Sequence, residues 1–159
     1  MRVNQADLDW ETVDRGETGF RRKRLAAAAG GDQLGCSLYE LPPGEKSWPF
    51  HFHTGNEEAV YVLAGTGQLR TADGVEPLRS GDYVAFPVGS DGAHRVVNDG
   101  DDPLRYLAVS TMQDPDVTVY PDSGKIGVYA GSPPGGDDPR TVDGYYCRDD
   151  DVDYWLDEE

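Results

Sequence analysis

From Leu34 onward, short apolar runs alternate with Gly, Pro, Asp and Asn, a spacing that predicts strands joined by turns. The candidate strands are Gly35–Leu41, Ser47–His53, Ala59–Leu63, Gln68–Thr71, Val75–Leu78, Tyr83–Phe86, Arg95–Val97, Leu104–Ser110, Val117–Val119 and Lys125–Tyr129. Ala72-Asp73-Gly74 is expected as a hairpin turn, because Asp-Gly tolerates positive φ. The stretch 98–103 plays the same part before Leu104. Residues 1–19 carry only Leu8, Trp10 and Val13 as apolar anchors and are expected to lie as an extended arm. Residues 21–29 run Arg-Arg-Lys-Arg-Leu-Ala-Ala-Ala-Ala. Their propensity favours a helix ended by Gly30, but the β-rich surroundings favour a strand, which is the expectation here.

The chain, 159 residues long, suits one domain with a real core. Many short strands and no long amphipathic helix predict an all-β, antiparallel sandwich or barrel. Its expected parts are an N-terminal arm and leading strand over 1–33 and a barrel core over 34–112. Additional strands follow over 113–130, then a loop and acidic tail over 131–159.

Charge narrows the partners. Thirty Asp and Glu against fourteen Lys and Arg leave a net charge of −16, and only Lys23, Lys46 and Lys125 are lysines. Such a balance resembles that of proteins from salt-accumulating halophiles, and self-repulsion makes the compact state salt-dependent. A nucleic-acid backbone or an anionic membrane would be repelled, so neither is an expected partner. The basic run Arg21-Arg22-Lys23-Arg24 alternates between strand faces and is expected to pair with carboxylates of this chain or of a second subunit. Cys36 and Cys147 follow no metal-ligand spacing and are expected as free thiols. The N-terminus shows no apolar signal region and no window is long and apolar enough to span a bilayer, so a cytoplasmic location is expected.

All three histidines fall in two glycine-framed stretches. His51 and His53 are separated by one residue, which puts both imidazoles on one face of a strand. Glu58 opens the next strand and His94 begins another, after Pro87 and Gly89. Two imidazoles on one face can reach a single ion about 2.0–2.2 Å away. Three imidazoles and a carboxylate suit Mn, Fe, Zn, Ni or Co, and the affinity order does not choose among them. Parity selects Glu58 over Glu57, turns Val60, Val62 and Val96 inward, and sends Trp48, Phe50 and Phe52 to the face opposite the histidines.

Gly44 to Gly65 resembles the first motif of the cupin superfamily, with four residues between His53 and Glu58 and six between Glu58 and Gly65. Gly81 to Asn98 resembles the second, with Gly81, Pro87, Gly89, His94 and Asn98 in place. One extra residue precedes His51, and four residues rather than two separate Gly89 from His94. The resemblance covers about residues 35–112, and the wider frame resembles small single-domain cupins called sugar-phosphate-isomerase-like. It implies a double-stranded β-helix, or jelly roll, and one divalent metal on His51, His53, Glu58 and His94. It also implies a small-molecule ligand or substrate and a homodimer. Three functions fit that ligand set: a metal-dependent isomerase of a sugar or sugar phosphate, an Fe(II) dioxygenase, and a non-catalytic binding module. A phosphate would need cations at the barrel mouth, for which Lys46, Arg70, Arg79, Arg95 and Arg105 are candidates. Tyr106 is expected as a pocket hydroxyl or a core ring.

Overall fold

The computed structural model describes residues 1–158; Glu159, the last residue of the expected tail, lies outside the described residues. Strands β1 (Glu11–Arg15) and β2 (Thr18–Arg24) form a hairpin turning at Gly16, with φ 61°. The short helix α1 (Leu25–Ala29) follows directly. The single strand expected over 21–29 is therefore split. Pairing with the next strand holds residues to Arg24, after which the alanine run follows its own helical propensity. Gly30 ends it at φ 79°, its N–H turned back to Ala26 and Ala27 carbonyls, a left-handed cap that glycine takes without strain.

The chain continues through β3 (Leu34–Leu41), β4 (Phe52–His53), β5 (Glu58–Ala64), β6 (Thr66–Thr71) and β7 (Val75–Arg79). Next come β8 (Tyr83–Phe86), β9 (His94–Val97) and β10 (Leu104–Thr111), then β11 (Asp116–Tyr120), β12 (Lys125–Ala130) and β13 (Val142–Cys147). The stretch expected only as loop and tail thus contributes a strand, β13, paired along β12. Ser47–His53 departs in the other direction. Pro49 has no N–H to give a ladder, so only Phe52–His53 pairs as a strand, and the residues before it touch β9 by bridges at Lys46–Val97 and His51–His94.

One layer is the six-stranded sheet β1-β2-β3-β10-β5-β8, in which every pairing is antiparallel. The facing layer is built from β7-β6-β9 and β13-β12-β11-β4, linked by the bridges before β4. This is an all-β jelly roll. The N-terminal hairpin extends the chain's own sheet through β2 and β3. Between the layers lie Leu41, Val60, Val62, Leu69, Leu78, Val96 and Leu104 with Phe20, Phe86, Tyr39 and Tyr106. Val60, Val62 and Val96 point inward as parity requires, whereas Tyr61 and Leu63 between them face solvent. Each fully buried aliphatic side chain here contributes about 1.5–3 kcal/mol relative to exposure.

Antiparallel register lays inward residues in rows across the large sheet. One row runs Arg22, Tyr39, Tyr106, Val62; the next runs Arg24, Ser37, Ala108, Val60; the third runs Gly35, Ser110, Glu58, Phe86. This grid forms one wall of a cavity of about 530 Å³. His51, His53 and Glu58 mark its inner end, and Arg22, Arg24 and the 131–138 loop its mouth.

Candidate metal centre

The three histidines come from three local settings that all aim the same ring nitrogen inward. His53 sits on β4 opposite Thr118 of β11, and His51 bridges His94, the first residue of β9. Their Nε2 atoms surround one oxygen: Glu58 Oε2 lies 3.8 Å from His51, 3.4 Å from His53 and 3.5 Å from His94. The ligand atoms of His51, His53 and Glu58 all fall within 4.8 Å of one another, and His94 joins them through Glu58. Glu57 faces solvent, as parity requires.

What fixes these rings lies on their other side. His51 Nδ1 donates to Pro49 O at 2.8 Å and His94 Nδ1 donates to Gly92 O at 2.9 Å. His53 Nδ1 donates to Asp116 Oδ2 at 2.5 Å, with Thr118 Oγ1 3.2 Å away. Carbonyls and carboxylates only accept, so each Nδ1 carries the proton and each Nε2 presents a lone pair. With the imidazoles neutral, three lone pairs and an anionic oxygen converge, and that set fits a divalent cation.

Protonation agrees with that role. Burial holds the His51 imidazole well below its ordinary value, aided by the charges of His94 and His53, and burial likewise lowers His94. Neutral imidazoles are the form a metal takes. His53 is the exception: burial opposes its charge, but the Asp116 hydrogen bond and the Glu58 carboxylate outweigh burial and raise it. Asp116 is correspondingly held low, the His53 contact outweighing its own desolvation.

The two places where the sequence departs from the cupin motifs are informative. The extra residues before His94 form a tight turn, Ser90–Gly92, and Gly92 at its end supplies the carbonyl that orients His94. A Cβ on Gly92 would lie 1.8 Å from Pro87 O, so only glycine lets this turn close. Likewise Pro49, in the lengthened stretch before His51, supplies that ring's acceptor.

Asp116 is the functional residue that sequence reasoning missed. It is 1 % exposed and also takes the Gly55 N–H at 2.9 Å. Its signal was an aspartate opening an otherwise apolar strand run. Parity sends Trp48 to the face opposite the histidines, yet it lines the cavity and donates from its indole to Tyr39 Oη at 3.1 Å. Pro49 breaks the alternation on which that assignment rested. Tyr106 is both core and wall: it is buried and stacks on Tyr39 at 5.2 Å and 4°.

None of the five cations proposed for the mouth is on the cavity wall. Lys46 and Arg95 pair with Glu17, Arg70 with Asp122, Arg79 with Asp82 and Arg105 with Glu40. The wall cations are instead Arg22, Arg24 and Arg140. The first two belong to the basic run, whose members are all engaged within the chain. Arg21 pairs with Glu40, Arg22 with Glu11 and Arg24 with Asp137, while Lys23 donates to Gln5 O. Tyr120 and Tyr145 complete the wall opposite the sheet. The Tyr120 ring faces His51 at 6.0 Å, and Tyr129 Oη donates to Tyr145 Oη at 2.9 Å.

Comparison with known proteins agrees with this geometry. Residues 37–110 match the family model described as a cupin domain. A crystal structure called a putative sugar phosphate isomerase, from Acidithiobacillus ferrooxidans, is similar at 28% identity and TM-score 0.81, covering 92% of this chain and 90% of that one. A sugar phosphate isomerase of the cupin superfamily from Silicibacter pomeroyi matches at 25% identity and TM-score 0.80, over 94% of each chain. A polyketide cyclase from Streptomyces resistomycificus matches at 26% identity and TM-score 0.60, over 70% of this chain and 78% of its own. No curated protein matches the chain. No helix among the described residues is long and apolar enough to cross a membrane. Residues 37–110 therefore form a cupin domain, and the protein resembles cupin-superfamily proteins called sugar phosphate isomerases.

Proposed function

We propose that the protein holds one divalent transition metal on His51, His53, Glu58 and His94 and isomerises a small sugar or sugar phosphate in the cavity above it. The observation that carries this reading is the convergence of three Nδ1-anchored imidazoles and Glu58 on one point at the inner end of a cavity whose mouth carries arginines. The two neighbours that match most of both chains bear the name sugar phosphate isomerase, which supports the same substrate class.

When bound, the ion supplies Lewis acidity toward a carbonyl and its neighbouring hydroxyl. The chain's part is to orient and to exclude water. Tyr39 and Tyr106 stack as a flat wall beside the site, and Phe86 packs face to face on the His94 ring at 3.7 Å. Tyr120 is pushed up to about 12 by burial, so its phenol stays neutral and can donate to substrate oxygens beside His51.

The aromatic and aliphatic lining favours a second reading, an Fe(II) dioxygenase. Val60, Val96, Ala108 and Phe86 supply apolar surface to the inner wall, beside the four proposed ligands, the phenols and the hydroxyls of Ser47, Ser110 and Thr118. One experiment separates the readings. Freshly purified protein is analysed for metals, then incubated in D₂O with a panel of aldose and ketose phosphates under nitrogen. Deuterium entering the carbon beside the carbonyl, seen by NMR, is the expected result. Metal-loaded protein that exchanges no such proton under nitrogen, but consumes oxygen with an organic substrate once air is admitted, overturns isomerisation in favour of oxygenation. Ligand binding without turnover leaves a binding module.

A further inference from the structure

At the mouth, three arginines each hold a carboxylate: Arg22 with Glu11, Arg24 with Asp137 and Arg140 with Asp143. Among the described residues only the Arg24–Asp137 pair has both members on the cavity wall. Arg24 Nη1 donates to Asp137 Oδ1 at 2.7 Å, and Arg24 Nη2 donates to Gly135 O at 2.5 Å. A strand residue of the large sheet thus grips a loop more than a hundred positions away in sequence. The rest of that loop folds on Arg140, which donates to the carbonyls of Ser132 and Pro133.

Arg24 also lies in the inward row that continues through Ser37 and Ala108 to Val60, beside Glu58. The side chains between the two ends, Ser37, Ala108, Gly35 and Ser110, are small and leave the floor open. Three strand spacings separate Arg24 from Val60, about 14 Å between backbones. A ligand meeting both ends spans on the order of 10 Å once side-chain reach is subtracted. A phosphorylated sugar chain fills that length, and a two-carbon acid does not.

We propose that Arg24 is the anchor for a terminal anionic group of the ligand, and that Asp137 occupies it in the ligand's absence as an internal competitor. A phosphate or carboxylate arriving at Arg24 displaces Asp137 and frees the 131–139 loop, so the cavity mouth opens to the ligand that fits it. The exchange suits this pair because Asp137 is 68% exposed while Arg24 is 22% exposed: the anion can leave to water, and the cation stays on the wall. The inference rests on the cavity's being the substrate site.

The test uses the full-length, metal-loaded protein and inorganic phosphate as the probe, at fixed ionic strength. Calorimetry gives the affinity for wild type, Asp137→Asn and Arg24→Gln, and limited trypsin digestion after Arg140 reports the loop. Removing the competitor is expected to tighten phosphate roughly fivefold, the scale of an exposed ion pair. Arg24→Gln is expected to weaken it by about tenfold or more. Phosphate is expected to speed cleavage after Arg140 in wild type, and less so in Asp137→Asn, whose loop is already released. Asp137→Asn leaves Arg24 in place and alters an exposed side chain, so it keeps the test decisive should Arg24→Gln fold poorly. Phosphate affinity unchanged in both variants assigns the probe to the metal or to an adventitious ion only, and overturns the proposal. A wild type that cannot be loaded with metal, with phosphate still tightened by Asp137→Asn, would instead overturn the metal-enzyme reading and leave the anion site standing.

Discussion

At the inner end of the cavity, His51, His53, Glu58 and His94 come from separate segments, those of His51 and His94 bridging directly, and each imidazole is oriented at Nδ1 by a carbonyl or carboxylate of the chain. At the mouth, Arg22 and Arg24 come from β2 and Arg140 from more than a hundred positions away, and each meets a carboxylate with at least half its side chain in water. The inner end is held firmly because its three imidazoles are buried and each is tied at Nδ1 to an acceptor of the chain. The mouth is exchangeable because each of its ion pairs competes with water, where an exposed pair is worth only about 0–1 kcal/mol. Rigidity at the proposed metal site and exchange at the mouth meet on the same sheet, along the row that runs from Val60, beside Glu58, out to Arg24.

The contrast can be broken most forcefully at Asp116. Asp116→Asn keeps the side chain's volume but weakens the grip on His53 Nδ1, and metal affinity is expected to fall about 10- to 100-fold. Competition with a chelating dye measures it; an unchanged affinity would mean that ring orientation is set elsewhere. Salt comes next. With a net charge of −16, screening of self-repulsion outweighs the weakening of the mouth's ion pairs. Melting temperature is expected to rise by a few degrees or more between low and molar salt, while metal stoichiometry stays constant. A flat melting temperature contradicts this. The smallest effect belongs to Arg140→Gln, which loosens the 131–139 loop and costs about 1 kcal/mol or less, read from the urea midpoint, with no loss of metal. A loss of metal there would show that the two ends are coupled.

The same contrast explains what the sequence made legible. His51, His53 and Glu58 lie within eight residues; strand parity aligns the two histidines and selects Glu58 over Glu57, and His94 is marked by its glycine and proline frame. Val60 and Val62 are inward by the same alternation. Asp116 was not legible, because its approach to His53 depends on the register of β4 against β11, a pairing that spans more than sixty positions. Arg22 and Arg24 were dismissed as charge balancing. Their pairs exist, but facing into the cavity is a property of where β2 joins β3. Strand β13 was hidden by the acidic composition around it, although Val142-Asp-Gly-Tyr-Tyr-Cys has the β-branched and aromatic residues of a strand. Its Tyr145 reaches the cavity wall because Gly127, directly opposite, leaves room for the ring. Local periodicity recovered the antiparallel strands and the motif resemblance implied the jelly roll; the groups supplied by distant pairings needed the structure.

The central claim is that four named side chains hold one metal ion, and elemental analysis tests it most directly. Wild-type protein and the His51→Ala/His94→Ala variant are purified in parallel at high salt, with folding checked by circular dichroism. The account predicts close to one divalent transition metal per chain in the wild type and background levels in the variant. A folded variant that retains the wild-type metal content would contradict it.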